Sequence, residues 1–98
     1  MDKFDQALLI HLRSMAREGA TASQILRYSL REFAPQKPHT IALLKLMRAA
    51  FSLSLSEAKP VAGWYGVEEG GLTDEQLDGF VDPEIRRHRS EWDPARAC

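Results

Sequence analysis

Residues 39–64 read HTIALLKLMRAAFSLSLSEAKPVAGW, and this stretch decides the fold. Its apolar side chains recur at helical spacing in two adjacent stripes, which are Ile41, Leu44, Met47 and Phe51, and Leu43, Leu46, Met47 and Ala50. A helix with two neighbouring apolar stripes keeps little polar surface, so it should be largely buried. The pattern therefore predicts a central buried helix with Leu44, Met47 and Phe51 in the core, and with Lys45 and Arg48 on one exposed edge.

A second, shorter helix is predicted directly after it. Ser54 is followed three residues later by Glu57, the spacing of a capping box, in which the two side chains satisfy free amides at a helix start. Pro60 lacks an amide hydrogen and clashes with the preceding turn, at a cost of about 3 kcal/mol inside a helix. We therefore expect this helix to end or bend within one residue of Pro60.

The resulting hairpin resembles the one in the C-terminal domain of the bacterial ribosomal stalk protein. That family has Ile-Lys-x-Val-Arg, a Gly-Leu-Gly-Leu turn, and x-Glu-Ala-Lys. The matching residues here are Leu44, Lys45, Met47 and Arg48, then Ser52-Leu53-Ser54-Leu55, then Glu57-Ala58-Lys59. The turn glycines are serines in this chain, Pro60 interrupts the second helix, and the flanks lack the strands of the stalk domain. The hairpin is also similar, more loosely, to small bacterial immunity proteins, which neutralise a partner toxin.

The remaining segments also favour helices. Residues 3–18 are amphipathic, with Phe4, Leu8, Leu12 and Met15 on one face, and Gly19 suits a left-handed helix end. A helix from Thr21 or Ser23 to Phe33 should bury Ile25 or Leu26, Leu30 and Phe33. Capping signals predict two more helices, from Thr73 with Gln76 to Phe80, and from Asp82-Pro83-Glu84 to about Trp92. We expect residues 1–98 to form a single all-α domain of five or six helices around the central buried helix.

Composition narrows the functional classes. The chain has 98 residues, a net charge of −1 and one cysteine, Cys98, so it cannot form an intrachain disulfide. The N-terminus lacks the basic start and cleavage site of a signal peptide, and no apolar run approaches the roughly 20 residues that span a bilayer. We expect a cytoplasmic protein that does not contact a membrane.

Charge is strongly segregated along the chain. Residues 1–59 hold nine Lys/Arg and five Asp/Glu, whereas residues 60–85 hold seven Asp/Glu and no Lys or Arg. The acids alone could be a solvated surface with carboxylates at helix starts. Interleaved with aromatic side chains, they could instead be an electronegative surface for a basic partner, because charge steers association and aromatic residues supply hot spots. The predicted partner-binding residues are Glu68, Glu69, Asp74, Glu75, Asp78, Trp64 and Tyr65.

The sequence favours neither catalysis nor a metal. Ser52, Ser54 and Ser56 lack a glycine-flanked elbow or a paired base, and Cys98 lacks an electropositive surrounding. The histidines at positions 11, 39 and 88 have no spacing typical of a metal site, so we expect no metal and no cofactor.

Residues 17–25 resemble the turn of a helix-turn-helix motif. The recognition helix would then be residues 39–51, which must present polar side chains to base edges. These residues are mostly apolar, and the acidic segment opposes binding to a polyanion.

The leading hypothesis is a protein-binding protein that neutralises a basic bacterial toxin domain by occlusion, as an immunity protein does. One alternative is a translation-associated module that docks on a factor through Lys45, Arg48 and Lys59, as the stalk resemblance implies. Another is a helix-turn-helix regulator that binds nucleic acid. A role for the C-terminal arginines stays open.

Overall fold

The computed structural model describes residues 6–33, 38–65 and 71–93. These residues contain helices and no strand, so the predicted all-α fold is confirmed. The helices, in chain order, are α1 (Gln6–Arg17), α2 (Ala22–Phe33), α3 (Thr40–Phe51), α4 (Leu55–Ala58), α5 (Pro60–Tyr65), α6 (Asp74–Arg87) and α7 (Arg89–Trp92). Residues Phe4, Glu68 and Glu69, which carried predictions, lie outside the described residues.

Helix α3 is the centre of the fold and packs against α1, α4, α5 and α7. Its buried side chains recur at spacings of three and four residues and are Leu43, Leu46, Met47, Ala50 and Phe51. Leu44 lies at the edge of this face and is mostly buried, as expected. Ile41, which belongs to the first apolar stripe of the sequence, is 63% exposed. At about 100° per residue it lies on the side of the helix opposite to the buried face.

The turn after α3 has a left-handed residue that the sequence did not reveal. Ser52 has φ 58° and ψ 30°, and its amide donates to the carbonyl of Arg48 at 2.9 Å. Left-handed backbone costs a residue with a side chain about 1 to 2 kcal/mol, and glycine usually takes this place. Gly19, with φ 97°, takes the left-handed position after α1 as predicted.

The capping box at the start of α4 is confirmed. The amide of Glu57 donates to Ser54 Oγ at 3.2 Å, and the amide of Ser54 donates to Glu57 Oε1 at 2.8 Å. Helix α4 ends at Ala58 with Lys59 as its C-cap, and Pro60 begins α5. The predicted interruption at Pro60 is therefore confirmed, because proline suits the first turn of a helix and not its interior.

The prediction of a separate helix beginning at Asp82-Pro83-Glu84 is wrong, because α6 continues through Pro83 to Arg87. Leu77, Val81 and Ile85 are spaced by four residues and all buried, so an unbroken helix keeps them on one apolar face. Asp82 does not cap its own segment. It accepts a hydrogen bond from the amide of Ala22, at the start of α2.

The C-terminal helix α7 closes the core. Trp92 packs edge-on against Phe51, with ring centroids 5.2 Å apart, and its indole donates to the carbonyl of Ile85 at 2.8 Å. Asp93 is buried and accepts from Arg17 and Arg89 at 3.2 and 3.0 Å. Within the described residues, no helix has the length and apolar character needed to cross a bilayer.

Candidate partner-binding site on helix α6

Helix α6 carries the described part of the predicted acidic surface. Its start is fixed by the predicted capping box, in which the Gln76 amide donates to Thr73 Oγ1 at 3.1 Å and the Thr73 amide donates to Gln76 Oε1 at 3.0 Å. Asp74 and Glu75 lie in the first turn, where negative charge is favourable beside the helix dipole. The acids at positions 74, 78 and 82 are spaced by four residues, so they share one side of the helix.

These three carboxylates face α2, and we call them the inner acids. Asp82 Oδ1 accepts from the amide of Ala22 at 2.7 Å, and Asp78 Oδ1 accepts from the amide of Ser23 at 2.8 Å. Asp78 Oδ2 also accepts from the Ser23 hydroxyl at 3.0 Å. The first amides of a helix lack partners within the helix, and they are positively polarised. Two inner acids therefore cap α2 from a neighbouring helix.

Asp74 is held differently, by side chains. Its carboxylate accepts from the guanidinium of Arg27 at 2.8 Å and from the indole nitrogen of Trp64 at 2.8 Å. The Arg27 guanidinium also lies 5.4 Å from the centre of the Trp64 ring, within the range of a cation–π interaction. The three side chains thus connect α2, α5 and α6.

The surroundings shift two of these carboxyl groups in opposite directions. The hydrogen bond from Trp64, followed by that from Arg27, lowers the pKa of Asp74. Burial raises the pKa of Asp82, and the neighbouring charge of Asp78 acts in the same direction, against the amide of Ala22. Asp74 is thus stabilised in its charged form, whereas the charge of Asp82 is disfavoured by desolvation.

The predicted site residues divide into two groups. Asp74, Asp78, Trp64 and Tyr65 are half-buried and have partners within the chain; for Tyr65 the partner is the carbonyl of Pro38, which accepts from its hydroxyl at 2.9 Å. Glu75 is exposed, as a contact residue requires. The structure brings Trp64 and Asp74 together, and it turns Asp74 and Asp78 toward α2.

The opposite side of α6 is open, and we call it the outer face. It comprises Glu75, Gln76, Gly79, Phe80 and Pro83, all exposed. Phe80 is 58% exposed, and a side chain at Gly79 would meet no atom within 4 Å. Phe80 is one of the aromatic residues interleaved with the acids in the sequence, but it was not among the predicted partner-binding residues. The four-residue spacing of positions 74, 78 and 82 was the signal that could have separated the inner acids from the outer face.

No family model, curated protein or solved structure matches this chain. What this surface binds therefore has to follow from its own geometry and charge.

Proposed function

We propose that the chain is a small cytoplasmic protein that binds another protein through the outer face of α6 and thereby occludes a basic surface, as an immunity protein does with its toxin. The observation that carries the proposal is the exposure of Phe80 on a helix whose surrounding sequence, residues 60–85, has seven acids and no Lys or Arg. Aromatic side chains are enriched among binding hot spots, and surrounding charge raises the association rate.

The inner acids have a different part in this proposal. Asp74 and Asp78 hold α2 against α6, so they position the outer face without contacting the partner. Glu75 is the described acid that faces solvent in the first turn of α6. In this proposal Glu75 raises the association rate of the partner, together with Glu68 and Glu69 of the same acidic stretch. Phe80 makes the contact itself.

The lack of a side chain at Gly79 also supports partner binding through the outer face. Glycine inside a helix costs roughly 0.5 to 1 kcal/mol relative to alanine, and packing within this chain does not require it, since a Cβ there has open space. A missing side chain beside Phe80 lets a partner approach the helix closely.

The test begins with the product of the gene adjacent to the one that encodes this chain. The two proteins are co-expressed, and the complex is isolated and measured for stoichiometry and association rate at two salt concentrations. We expect a 1:1 complex in which the partner's activity is lost. Glu75→Gln should slow association mainly at low salt, and Phe80→Ala should speed dissociation. Glu32→Gln, the same change at an exposed position near the end of α2, is the matched control and should alter neither rate.

A second candidate function is docking on a translation factor through the hairpin of α3 and α4. It is supported by Ser52, whose left-handed backbone lies where the stalk family has glycine, and by the exposure of Lys45, Arg48 and Lys59. Charge reversal at Lys59 should then abolish binding, whereas Phe80→Ala should have no effect. The two candidates therefore differ in which variant loses the partner.

The nucleic-acid alternative has less support. Its recognition helix would be α3, whose buried face packs against four other helices. A helix at the centre of the core cannot enter a groove of DNA without unfolding the domain.

A further inference from the structure

A group of metal-ligand side chains lies where α4 meets the C-terminal part of α6, one helical turn beyond Phe80 of the outer face. Glu57, Glu84 and His88 each place one potential ligand atom within 4.8 Å of the others, and all three are half-buried. Glu84 lies in the last turns of α6, His88 is the residue that directly follows this helix, and Glu57 comes from α4. Counting histidines along the sequence missed this group because two of its members are glutamates.

Two of the three side chains are held in place by further hydrogen bonds. Glu57 Oε1 accepts from the amide of Ser54 at 2.8 Å, as part of the capping box. His88 Nδ1 contacts the carboxylate of Glu91, which leaves Nε2 directed at Glu57 Oε1, 3.0 Å away. Metal-binding histidines almost always have such a carboxylate or carbonyl partner on the second ring nitrogen, because it fixes the ring and raises its basicity.

A cation already lies beside the two carboxylates. The guanidinium of Arg87 contacts Glu57 and donates to Glu84 Oε2 at 2.7 Å. Its side chain is 59% exposed, so it can swing into solvent without disturbing the core. Positive charge is thus stabilised between the two carboxylates, and the Arg87 guanidinium that now supplies it can move away.

We propose that Glu57, Glu84 and His88 form a Zn²⁺ site that competes with Arg87. Zinc binds histidine nitrogen and carboxylate oxygen at about 2.0 to 2.2 Å, so tetrahedral ligands lie roughly 3.3 Å apart. The Nε2–Oε1 distance of 3.0 Å is already close to this value. Two carboxylates and a neutral imidazole balance the charge of the ion, and water completes the coordination.

The ion would join two parts of the chain that are 31 residues apart in sequence, residues 57 and 88. A metal that binds the folded state and not the unfolded one stabilises the fold by an amount that grows with the logarithm of the free metal concentration above the dissociation constant. The site therefore couples the stability of the hairpin and α6 to available zinc, independently of the partner proposed above.

The test uses the full chain with Cys98→Ser, which removes the thiol as a competing ligand, stripped of metal by a chelator and then titrated with ZnCl₂ alone. We expect one ion per chain by calorimetry, and a higher melting temperature that returns to its starting value with EDTA. His88→Gln and Glu84→Gln should each weaken zinc affinity at least 10-fold, and Glu91→Gln should weaken it 10- to 100-fold, the range typical of such outer partners.

Arg87→Met separates a zinc site from a network of ion pairs. Removal of the competing guanidinium should raise zinc affinity, whereas a network without metal capacity would lose stability and still bind no zinc. His11→Gln and His39→Gln are matched controls at exposed histidines and should leave the affinity unchanged.

A spectroscopic readout protects the test against unfolding of the variants. Co²⁺ in place of zinc should give the visible absorption of a tetrahedral site in the Cys98→Ser chain, and His88→Gln should abolish it while the far-ultraviolet circular dichroism stays helical. The absence of zinc binding, or binding that survives His88→Gln and is lost in His11→Gln, would overturn the proposal.

Discussion

The two sides of α6 differ in what their polar groups contact. On the inner side, Asp74, Asp78 and Asp82 bind the first amides of α2, the Ser23 hydroxyl, Arg27 and Trp64. On the outer face, Glu75 and Phe80 project into solvent. An acidic stretch can therefore serve two purposes within one helix. Net charge along the sequence adds the acids of both sides together. Only the four-residue spacing separates the acids that stabilise the fold from the side chains that are open to a partner.

The largest expected contrast is between two apolar residues of α6. Leu77 is fully buried, so Leu77→Ala should lower the free energy of unfolding by about 2 to 5 kcal/mol through lost burial and the cavity left behind. Phe80→Ala, on the outer face, should change it by less than about 0.5 kcal/mol. Urea denaturation of both variants measures the contrast. A large loss for Phe80→Ala would show that this ring supports the fold.

The inner acids should matter for stability where the outer acid does not. Asp78→Ala leaves the Ser23 amide without its partner in a buried position and should cost about 1 to 3 kcal/mol. Glu75→Ala is the matched change one turn away on the exposed side and should stay within about 0.5 kcal/mol. Equal losses for the two variants would contradict the division of α6 into two sides.

Gly79 offers a change in the opposite direction. Gly79→Ala should raise the stability of the isolated chain by about 0.5 to 1 kcal/mol, because the new methyl group meets no other atom and the unfolded chain loses freedom. The same variant should weaken partner binding if the partner approaches this part of the helix. Thermal unfolding measures the first effect. A destabilised chain would mean that Pro83, four residues later, depends on glycine at this position.

The smallest expected effect is a pH dependence with opposite signs at two inner acids. The raised pKa of Asp82 means that its ionisation is disfavoured by folding, so its contribution to stability falls as pH rises from about 3.8 through the folded pKa. Asp82→Asn keeps an oxygen acceptor for the Ala22 amide. It should therefore raise the stability at pH values above the folded pKa of Asp82, and it should not raise the stability below pH 3.8.

Asp74 is the comparison for this effect. Its pKa is lowered, so its contribution is present above the ordinary value of 3.8 and is lost as pH falls through the folded pKa. Asp74→Asn should therefore destabilise the chain at neutral pH and have little effect in strong acid. Unfolding curves of both variants between pH 2 and 7 give the sign of each pH-dependent change in stability. The same sign for Asp82→Asn and Asp74→Asn would contradict the environments assigned to the two carboxyl groups.

Signals confined to neighbouring residues were predictable from sequence. The burial of Met47 and Phe51, the capping boxes at Ser54 and Thr73, and the interruption at Pro60 all follow from local spacing and chemistry. The tolerance of Pro83 inside α6 did not follow, because a proline favours a helix start locally. The buried stripe of Leu77, Val81 and Ile85 keeps the helix continuous, and that stripe gains its stability only from tertiary packing.

The contacts of the acids could not be predicted from neighbouring residues either. Asp78 and Asp82 bind amides more than 50 positions earlier in the chain, and Asp93 is buried against Arg17, 76 positions away. Charge counting predicted an exposed acidic surface, and it could not show which carboxylates fold back onto α2. Glu75 is exposed as predicted, because no helix among the described residues packs over the first turn of α6 on that side.

The central claim is that the outer face of α6 binds a partner while the inner acids hold the fold. The most direct measurement is the dissociation rate of the complex with the adjacent gene's product for Phe80→Ala, alongside the unfolding free energy of the same variant. We predict dissociation faster by 10-fold or more with unfolding unchanged within about 0.5 kcal/mol, as for an exposed hot-spot residue. Dissociation equal to that of the parent chain would contradict the claim.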